Sequence, residues 1–252
     1  MMVMASDHDD CIFENAEALA RAAADWLCEK AVASSGRFSI CCSGGSTPRR
    51  LYELLAQSPA VTAFPWSRVH WFWGDERFVP YDHPESNYGM TRTVLLSKVP
   101  IPAGNVHPVP TEGLTLQQGA DAYEKTLRDY YGAENLDAVR PLFDVTLLGI
   151  GDDGHTASLL PGQPALEETR RWVTAVPSGR SEPRITLTYC ALDSSCDAVF
   201  LAVGGRKRCV VRRARRGDRT LPAGRVKPVG RLHWFVDRDA GWAIDAGPRS
   251  QA

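Results

Sequence analysis

Apolar residues recur along this chain with two distinct periods. From Asn15 to Ala33, Ala18, Leu19, Ala22, Ala23, Trp26 and Leu27 fall at helical spacing among Glu and Arg, which predicts an amphipathic helix covering a sheet. Arg37 to Cys42 alternates and then turns apolar, and is read as the first strand. Val69–Trp73, Val145–Leu148, Ala198–Val203 and Leu232–Val236 are short apolar or aromatic runs of the kind that buried strands use, and Trp172–Val176 and Arg184–Thr188 are two further strands. Between them lie helical patterns: Arg49 to Leu55 opened by Pro48, a helix starting near Ser86 and running through Leu96, and Leu116 to Tyr131 with Ala120, Tyr123, Leu127 and Tyr130 on one face. The proline-rich stretch from Val99 to Thr111 reads as an irregular connection with a short strand around Val106. Strands alternating with helices predict an α/β fold, a mostly parallel sheet with helices on both faces. No repeat or linker divides the chain, so residues 1–252 are expected to form a single domain, with loose tails over 1–10 and 248–252.

The chemistry gathers behind these strands. Val145–Leu148 runs into Gly149, Gly151 and Gly154, interleaved with Asp152, Asp153 and His155. Glycine allows sharp turns and close approach to a ligand, and Asp153 and His155 stand two apart, so a turning segment can aim both into one cleft. The competing reading is an acidic loop with a solvated histidine. Cys42 is followed by Ser43-Gly-Gly-Ser-Thr-Pro48. A strand, a Gly44-Gly45-Ser46-Thr47 loop and a helix start bring free N–H groups, a favourable helix dipole and two hydroxyls to one place, which suits an anion. An N-capped helix after a turn is the plainer alternative. The loop lacks the Gly-Lys-Ser/Thr ending of a P-loop and is not a Gly-x-Ser-x-Gly nucleophile elbow. Trp73 is followed by Gly74-Asp75-Glu76-Arg77, read as a charged loop, and Ser86 is placed either as a helix cap or, with Asn87, in the cleft. Val203 is followed by Gly204, Gly205, Arg206 and Lys207, a second cationic helix start.

Composition narrows the reading further. Twenty-nine Lys and Arg against 30 Asp and Glu leave a net charge of −1, so nothing global calls for nucleic acid or a membrane. The basic stretch from Arg206 to Arg216 is accordingly expected to be a solvated helix face. Seven cysteines show no framework spacing, and Cys41-Cys42 sit in an apolar run as small core residues, which suits a reducing compartment. The first residues carry Asp7, Asp9 and Asp10 and lack a signal-peptide pattern, and no apolar run is long enough to span a bilayer. A cytoplasmic protein is expected.

Taken together, Ser43-Gly-Gly-Ser-Thr-Pro48, Trp73-Gly-Asp-Glu-Arg77, Ser86-Asn-Tyr88, Leu148-Gly-Ile-Gly-Asp-Asp-Gly-His-Thr-Ala-Ser-Leu-Leu-Pro161, Arg184-Ile-Thr-Leu-Thr188, Gly204-x-x-Lys207 and Leu221-Pro-Ala223 resemble, in order, the 6-phosphogluconolactonase family. The resemblance implies a Rossmann-like three-layer αβα sandwich, shared with aminosugar-phosphate isomerases. It implies hydrolysis of 6-phospho-D-glucono-1,5-lactone to 6-phosphogluconate in the pentose phosphate pathway, with no metal or organic cofactor. The partner is a small sugar phosphate lactone, and a monomer or small homo-oligomer is expected. By resemblance His155 is the general base. From the residues themselves, Asp153 is expected to orient it and Arg77 to offset developing charge, and Asp75, by resemblance, stands where the isomerases keep a proton-shuttling carboxylate. Gly44, Gly45, Ser46, Thr47, Arg184 and Lys207 hold the phosphate. Cys190 and Asp193 depart from the proline and asparagine common in the family. The alternative is an aminosugar-phosphate isomerase or deaminase on the same fold. Those enzymes, by resemblance, support their histidine with a glutamate five residues on, where this chain has Leu160.

Overall fold

The structure, a computed structural model, describes residues 8–57 and 59–241. Among these residues nine strands follow in order: β1 His8–Phe13, β2 Phe38–Cys42, β3 Val69–Trp73, β4 Asp75–Arg77, β5 Phe143–Leu148, β6 Val173–Val176, β7 Arg184–Leu187, β8 Ser195–Ala202 and β9 Arg231–Asp237. The helices are α1 Ala16–Ala33, α2 Ser46–Leu55, α3 Ala60–Ala63, α4 Asn87–Val94, α5 Leu116–Tyr131, α6 Tyr189–Asp193, α7 Arg208–Arg215 and α8 Arg238–Gly241. Six strands form a parallel sheet in the order β1-β9-β8-β5-β2-β3, and β4-β7-β6 form a small antiparallel sheet. This is the expected α/β architecture, with a second sheet that the pattern does not announce.

Layering follows from the strand period. On β3, Phe72 meets Tyr130 of α5 at 4.8 Å between ring centroids, while its neighbour Trp71 stacks on Trp66 beyond α3 at 6.2 Å. Successive side chains therefore enter opposite helical layers. All five positions of β2 are buried, because a strand covered on both faces has no solvent side and reads as a continuous apolar run. α1 turns Leu19, Ala20, Ala23, Ala24, Leu27 and Ala31 inward, and the Asn15 side chain accepts from Ala18 N at 2.9 Å to start it. Thr115 and Gln118 form a capping box at the head of α5, and Gly132, at φ 76°, closes its tail.

Two readings are corrected. The expected loose tail over 1–10 does not reach residues 8–10, which belong to β1 and pair in parallel with β9 (Asp10 opposite Trp234); residues 1–7 and the expected tail at 248–252 lie outside the described residues. Asp75-Glu76-Arg77 is a strand, not a loop. Gly74 leaves the large sheet with its N–H on Cys42 O (2.9 Å) and enters the small one with its carbonyl accepting from Leu187 N (2.8 Å). Smaller shifts occur at helix ends. α2 begins at Ser46 with Gly45 as its cap, and α4 ends at Val94, followed by a 3-10 turn at Leu96–Lys98. The arginine-rich α7 is partly tied down: Arg208 Nε donates to Asp239 O, Arg213 pairs with Asp218 at 2.8 Å, and Arg215 pairs with Asp10. Among the described residues no helix is long and apolar enough to cross a membrane.

The outer edge of β3 carries a pair of histidines. His70 Nδ1 and His107 Nε2 lie 3.0 Å apart, and His107 stacks on Phe72 at 4.4 Å. Burial and the neighbouring His70 push His107 down to about 4, and burial and Arg37 lower His70. Both rings are thus held neutral in the fold, whereas an unfolded histidine titrates near ~6.5. The unfolded chain binds more protons in that interval, so this contribution to stability is full above about pH 6.5 and is lost as pH falls toward about 4. Melting temperature followed over that range should drop for the wild type and drop less for His107→Gln. Parallel curves would show that the pair does not govern the acid side.

Candidate active site

The sheet order places a crevice before any side chain is considered. From β2 the chain moves out to β3 on one side and returns to β5 on the other, so β2 and β5 flank the point where the winding reverses. Ligands of open parallel sheets bind outside the carboxyl ends of the strands at such a point. The loops after β2, β5 and β8 and the passage from β3 to β4 all leave from this edge.

After β2, the buried Tyr52 hydroxyl accepts from Ser43 N (3.0 Å) and donates to Ser43 O (2.9 Å), anchoring the start of the loop. Gly45 takes φ 102°, open to glycine but strained for other residues, and turns the chain into α2. Gly44 lies so close to Asn87 that a Cβ there would stand 1.9 Å from Asn87 Oδ1. Ser46 and Thr47 are the first residues of α2, so their N–H groups are among those an α-helix leaves unpaired.

After β5, Gly151 N donates to His155 O at 2.9 Å, and Gly154 N donates back to Gly151 O. A Cβ on Gly151 would fall 2.1 Å from the His155 ring, so the imidazole occupies the space a side chain would need. His155 Nδ1 is 2.5 Å from Asp153 Oδ1, and the other carboxylate oxygen accepts from Arg180 Nη2 at 2.6 Å. Arg180 Nη2 also stands 3.2 Å from His155 Nδ1. Burial alone would raise the Asp153 carboxyl; hydrogen bonds from His155 and Arg180 outweigh it and hold the group at about 2. Asp153 is therefore ionised near neutrality and acts only as acceptor, so His155 Nδ1 donates to it. The His155 side chain is 24% exposed, which leaves it reachable from solvent.

Ala157, at φ 47°, is the non-glycine residue with positive φ among those described. It reverses the chain after His155 and brings Ser158 onto Asp75, with Oγ to Oδ2 2.6 Å. Arg184, on the neighbouring β7, lies 3.9 Å from Asp75 Oδ2 and 3.4 Å from Ser158 Oγ. Asp75 and Arg184 are 6% and 8% exposed, so this ion pair is largely withdrawn from water. Arg184 Nε is buried without a protein partner among the described residues. Arg77 stands opposite Arg184 in the ladder but turns to the rim, where it donates to Glu85 O (2.7 Å) and Oε2 (3.1 Å). After β8, Gly204 N donates to the Asp237 carboxylate, which ties this corner to the end of β9. Burial lowers Lys207, while Asp152 of the β5 loop opposes that shift.

Two groups thus emerge, Asp153–His155–Arg180 and Asp75–Ser158–Arg184, joined through the short Thr156–Ala157 link. The Gly44–Thr47 loop adjoins the second through Asn87, and Lys207 faces Asp152. Arg77 is held by Glu85 and shares none of these hydrogen bonds. Sequence reasoning passed over Arg180 and Ser158. Ser158 lies inside the glycine-rich motif, three residues after the histidine, and its partner Asp75 is distant in sequence; no local pattern marks Arg180.

Fold and site define an α/β protein with a glycine-rich loop at a helix start and a carboxylate-paired histidine at the switch point of a parallel sheet. The family described as Glucosamine-6-phosphate isomerases/6-phosphogluconolactonase matches residues 14–234, and the chain belongs to it. A 6-phosphogluconolactonase of Synechocystis is 42% identical over 215 residues, covering 84% of this chain and 87% of its own. The solved 6-phosphogluconolactonase from Trypanosoma cruzi superposes with a TM-score of 0.83 at 29% identity, covering 98% of this chain and 100% of that one. A monomeric glucosamine-6-phosphate deaminase shares the fold at TM-score 0.75 and 19% identity, covering 93% of this chain and 99% of its own.

Proposed function

We propose that this protein hydrolyses 6-phospho-D-glucono-1,5-lactone to 6-phosphogluconate, with His155 as general base. The observation that carries the reading is the His155–Asp153 pair, 2.5 Å apart, at the switch point beside the glycine loop. His155 Nε2 takes a proton from water as that water attacks the lactone carbonyl, and Asp153 supports the imidazolium that forms. The tetrahedral carbon then expels the ring oxygen, which takes the proton back from the imidazolium as it leaves, so the ring opens to the hydroxy acid and His155 returns to its starting state. The substrate phosphate lies on the N–H groups of the Gly44–Thr47 loop, with Arg184 and Lys207 as its cations. The unpartnered Arg184 Nε and the buried setting of its guanidinium support that placement. Holding the remote phosphate restricts the lactone's orientation and lowers the barrier at the reacting carbon. Arg77, at the rim, offsets developing negative charge once released from Glu85, and Asp75 keeps Arg184 and Ser158 in place.

The isomerase alternative shares the fold, so the fold does not decide between them. Position 160 supports the lactonase. The buried Leu160 can neither accept a hydrogen bond from an imidazole nor pass on a proton, which ring opening of an aminosugar requires. Lactone hydrolysis needs no such relay, because attack at C1 itself cleaves the ring. The test is one preparation given two substrates. Freshly made 6-phosphogluconolactone should be hydrolysed well above its spontaneous rate, and glucosamine 6-phosphate should release no substantial ammonia. Ammonia release at a comparable kcat would overturn the assignment.

A further inference from the structure

Glu76 lies between two candidate site residues and belongs to neither of the groups described above. It is 0% exposed, on β4, and faces away from its neighbours Asp75 and Arg77. Its Oε1 accepts from Arg77 N (2.8 Å) and Asn87 N (2.7 Å). Its Oε2 accepts from Ser86 Oγ (3.1 Å) and Tyr88 N (2.8 Å). Two donors on each oxygen fill the acceptor capacity of an ionised carboxylate. Three of the four belong to the entrance of α4. Among the described residues no cation pairs with Glu76.

A buried carboxylate without a cation is an expensive way to begin a helix. α4 already has its cap, since Ser86 Oγ accepts from Gly89 N at 2.9 Å. The consequence of Glu76 is to be found in what α4 carries. Asn87, its first residue, is bound to Glu76 through its own N–H. The Asn87 side chain donates from Nδ2 to Asp75 O at 2.9 Å and fills the space directly against Gly44. Tyr88, the next residue, is bound to Glu76 in the same way and sets its ring edge-on to Trp73 at 5.2 Å. One carboxylate thereby sets where Asn87 stands relative to both the glycine loop and the end of β3.

We infer that Glu76 is a positioning residue for the anion-binding loop: it fixes the first turn of α4, and Asn87 on that turn holds Gly44 in the shape that receives the phosphate. The inference rests on the phosphate placement given under Proposed function. His155 sits on a different loop, after β5, so loss of Glu76 acts on the phosphate end and not on the proton transfer.

Glu76→Gln keeps the size of the side chain but sets an NH2 group against a backbone or hydroxyl donor, which turns one hydrogen bond into a repulsion. KM for the phosphorylated lactone should rise by roughly tenfold or more, the scale of one lost hydrogen bond to a charged group, while kcat changes much less. Affinity for inorganic phosphate, measured directly by titration calorimetry, should fall in parallel. Asn87→Ala, which leaves Glu76 intact, should weaken phosphate in the same direction. The double variant should lose less than the sum of the two, because both changes break one chain of contacts. Unchanged phosphate affinity in Glu76→Gln, a loss confined to kcat, or full additivity with Asn87→Ala would each overturn the inference. If Glu76→Gln does not fold, Asn87→Ala decides alone: unchanged phosphate affinity there overturns it, and weakened affinity with retained kcat supports it. Absence of lactone hydrolysis in the wild type would sink the proposed reaction, and the phosphate titrations would still report on Glu76.

Discussion

Replacing His155 with alanine should lower kcat by about 10²–10⁴, the usual worth of a positioned general base. The ring is reachable from solvent, its Nδ1 is committed to Asp153, and its Nε2 is left to act on water. Asp153, held at about 2, is ionised near neutrality, as the proposed support of an imidazolium at His155 requires. The variant should fold normally. His155 is partly exposed, and the tight turn beneath it is made by main-chain bonds between Gly151, Gly154 and His155 that do not need the ring. Circular dichroism and melting temperature check the fold, and hydrolysis above the spontaneous background reads the chemistry. KM should move little, because the proposed phosphate site lies on other loops. A folded His155→Ala protein with near-wild-type kcat would exclude the histidine as base.

Arg184→Ala should cost the phosphorylated lactone roughly 10²–10³ in kcat/KM, the range expected when one partner of a buried, hydrogen-bonded charge contact is truncated. The guanidinium is almost wholly withdrawn from water, so its attraction for a phosphate is weakly screened. Arg184→Lys keeps a charge but loses the planar fork, and should fall between the wild type and alanine. An unphosphorylated gluconolactone is the control, and its much slower turnover should change far less. Equal losses on both lactones would move Arg184 out of the phosphate handle and into chemistry or folding, where its proximity to Asp75 would be the reason.

The features legible in the sequence share a physical cause. α5 was readable to the residue because Ala120, Tyr123, Leu127 and Tyr130 recur at helical spacing on one face, a pattern that acts locally. The loops after β2, β5 and β8 were readable because an apolar strand followed by glycines marks the carboxyl edge of a sheet. Local signals failed where a distant partner decides. Asp75-Glu76-Arg77 carries no apolar residue, yet it is a strand because β7 supplies its ladder and α4 its buried donors. His8–Asp10 looked like part of a loose acidic tail because the strand that pairs with them lies far along the chain. Ser46 and Thr47 resembled residues before a helix, since both cap well, but the left-handed turn at Gly45 starts α2 earlier. Arg180 reaches Asp153 from a Pro-Ser-Gly loop whose course no local pattern sets.

The pairing of β1 with β9 also orders events in time. During synthesis β1 emerges first and its sheet neighbour emerges last, after β2, β3, β5 and β8. Contacts between such distant segments form late, because closing so long a stretch of chain costs entropy before any pairing rewards it. β2 and β3, close in sequence and paired directly, can meet while the ribosome is still at work. β1 must wait, with its backbone N–H and C=O groups turned to water or to other chains. The nascent chain thus carries an open strand from the emergence of β1 until β9 leaves the exit tunnel.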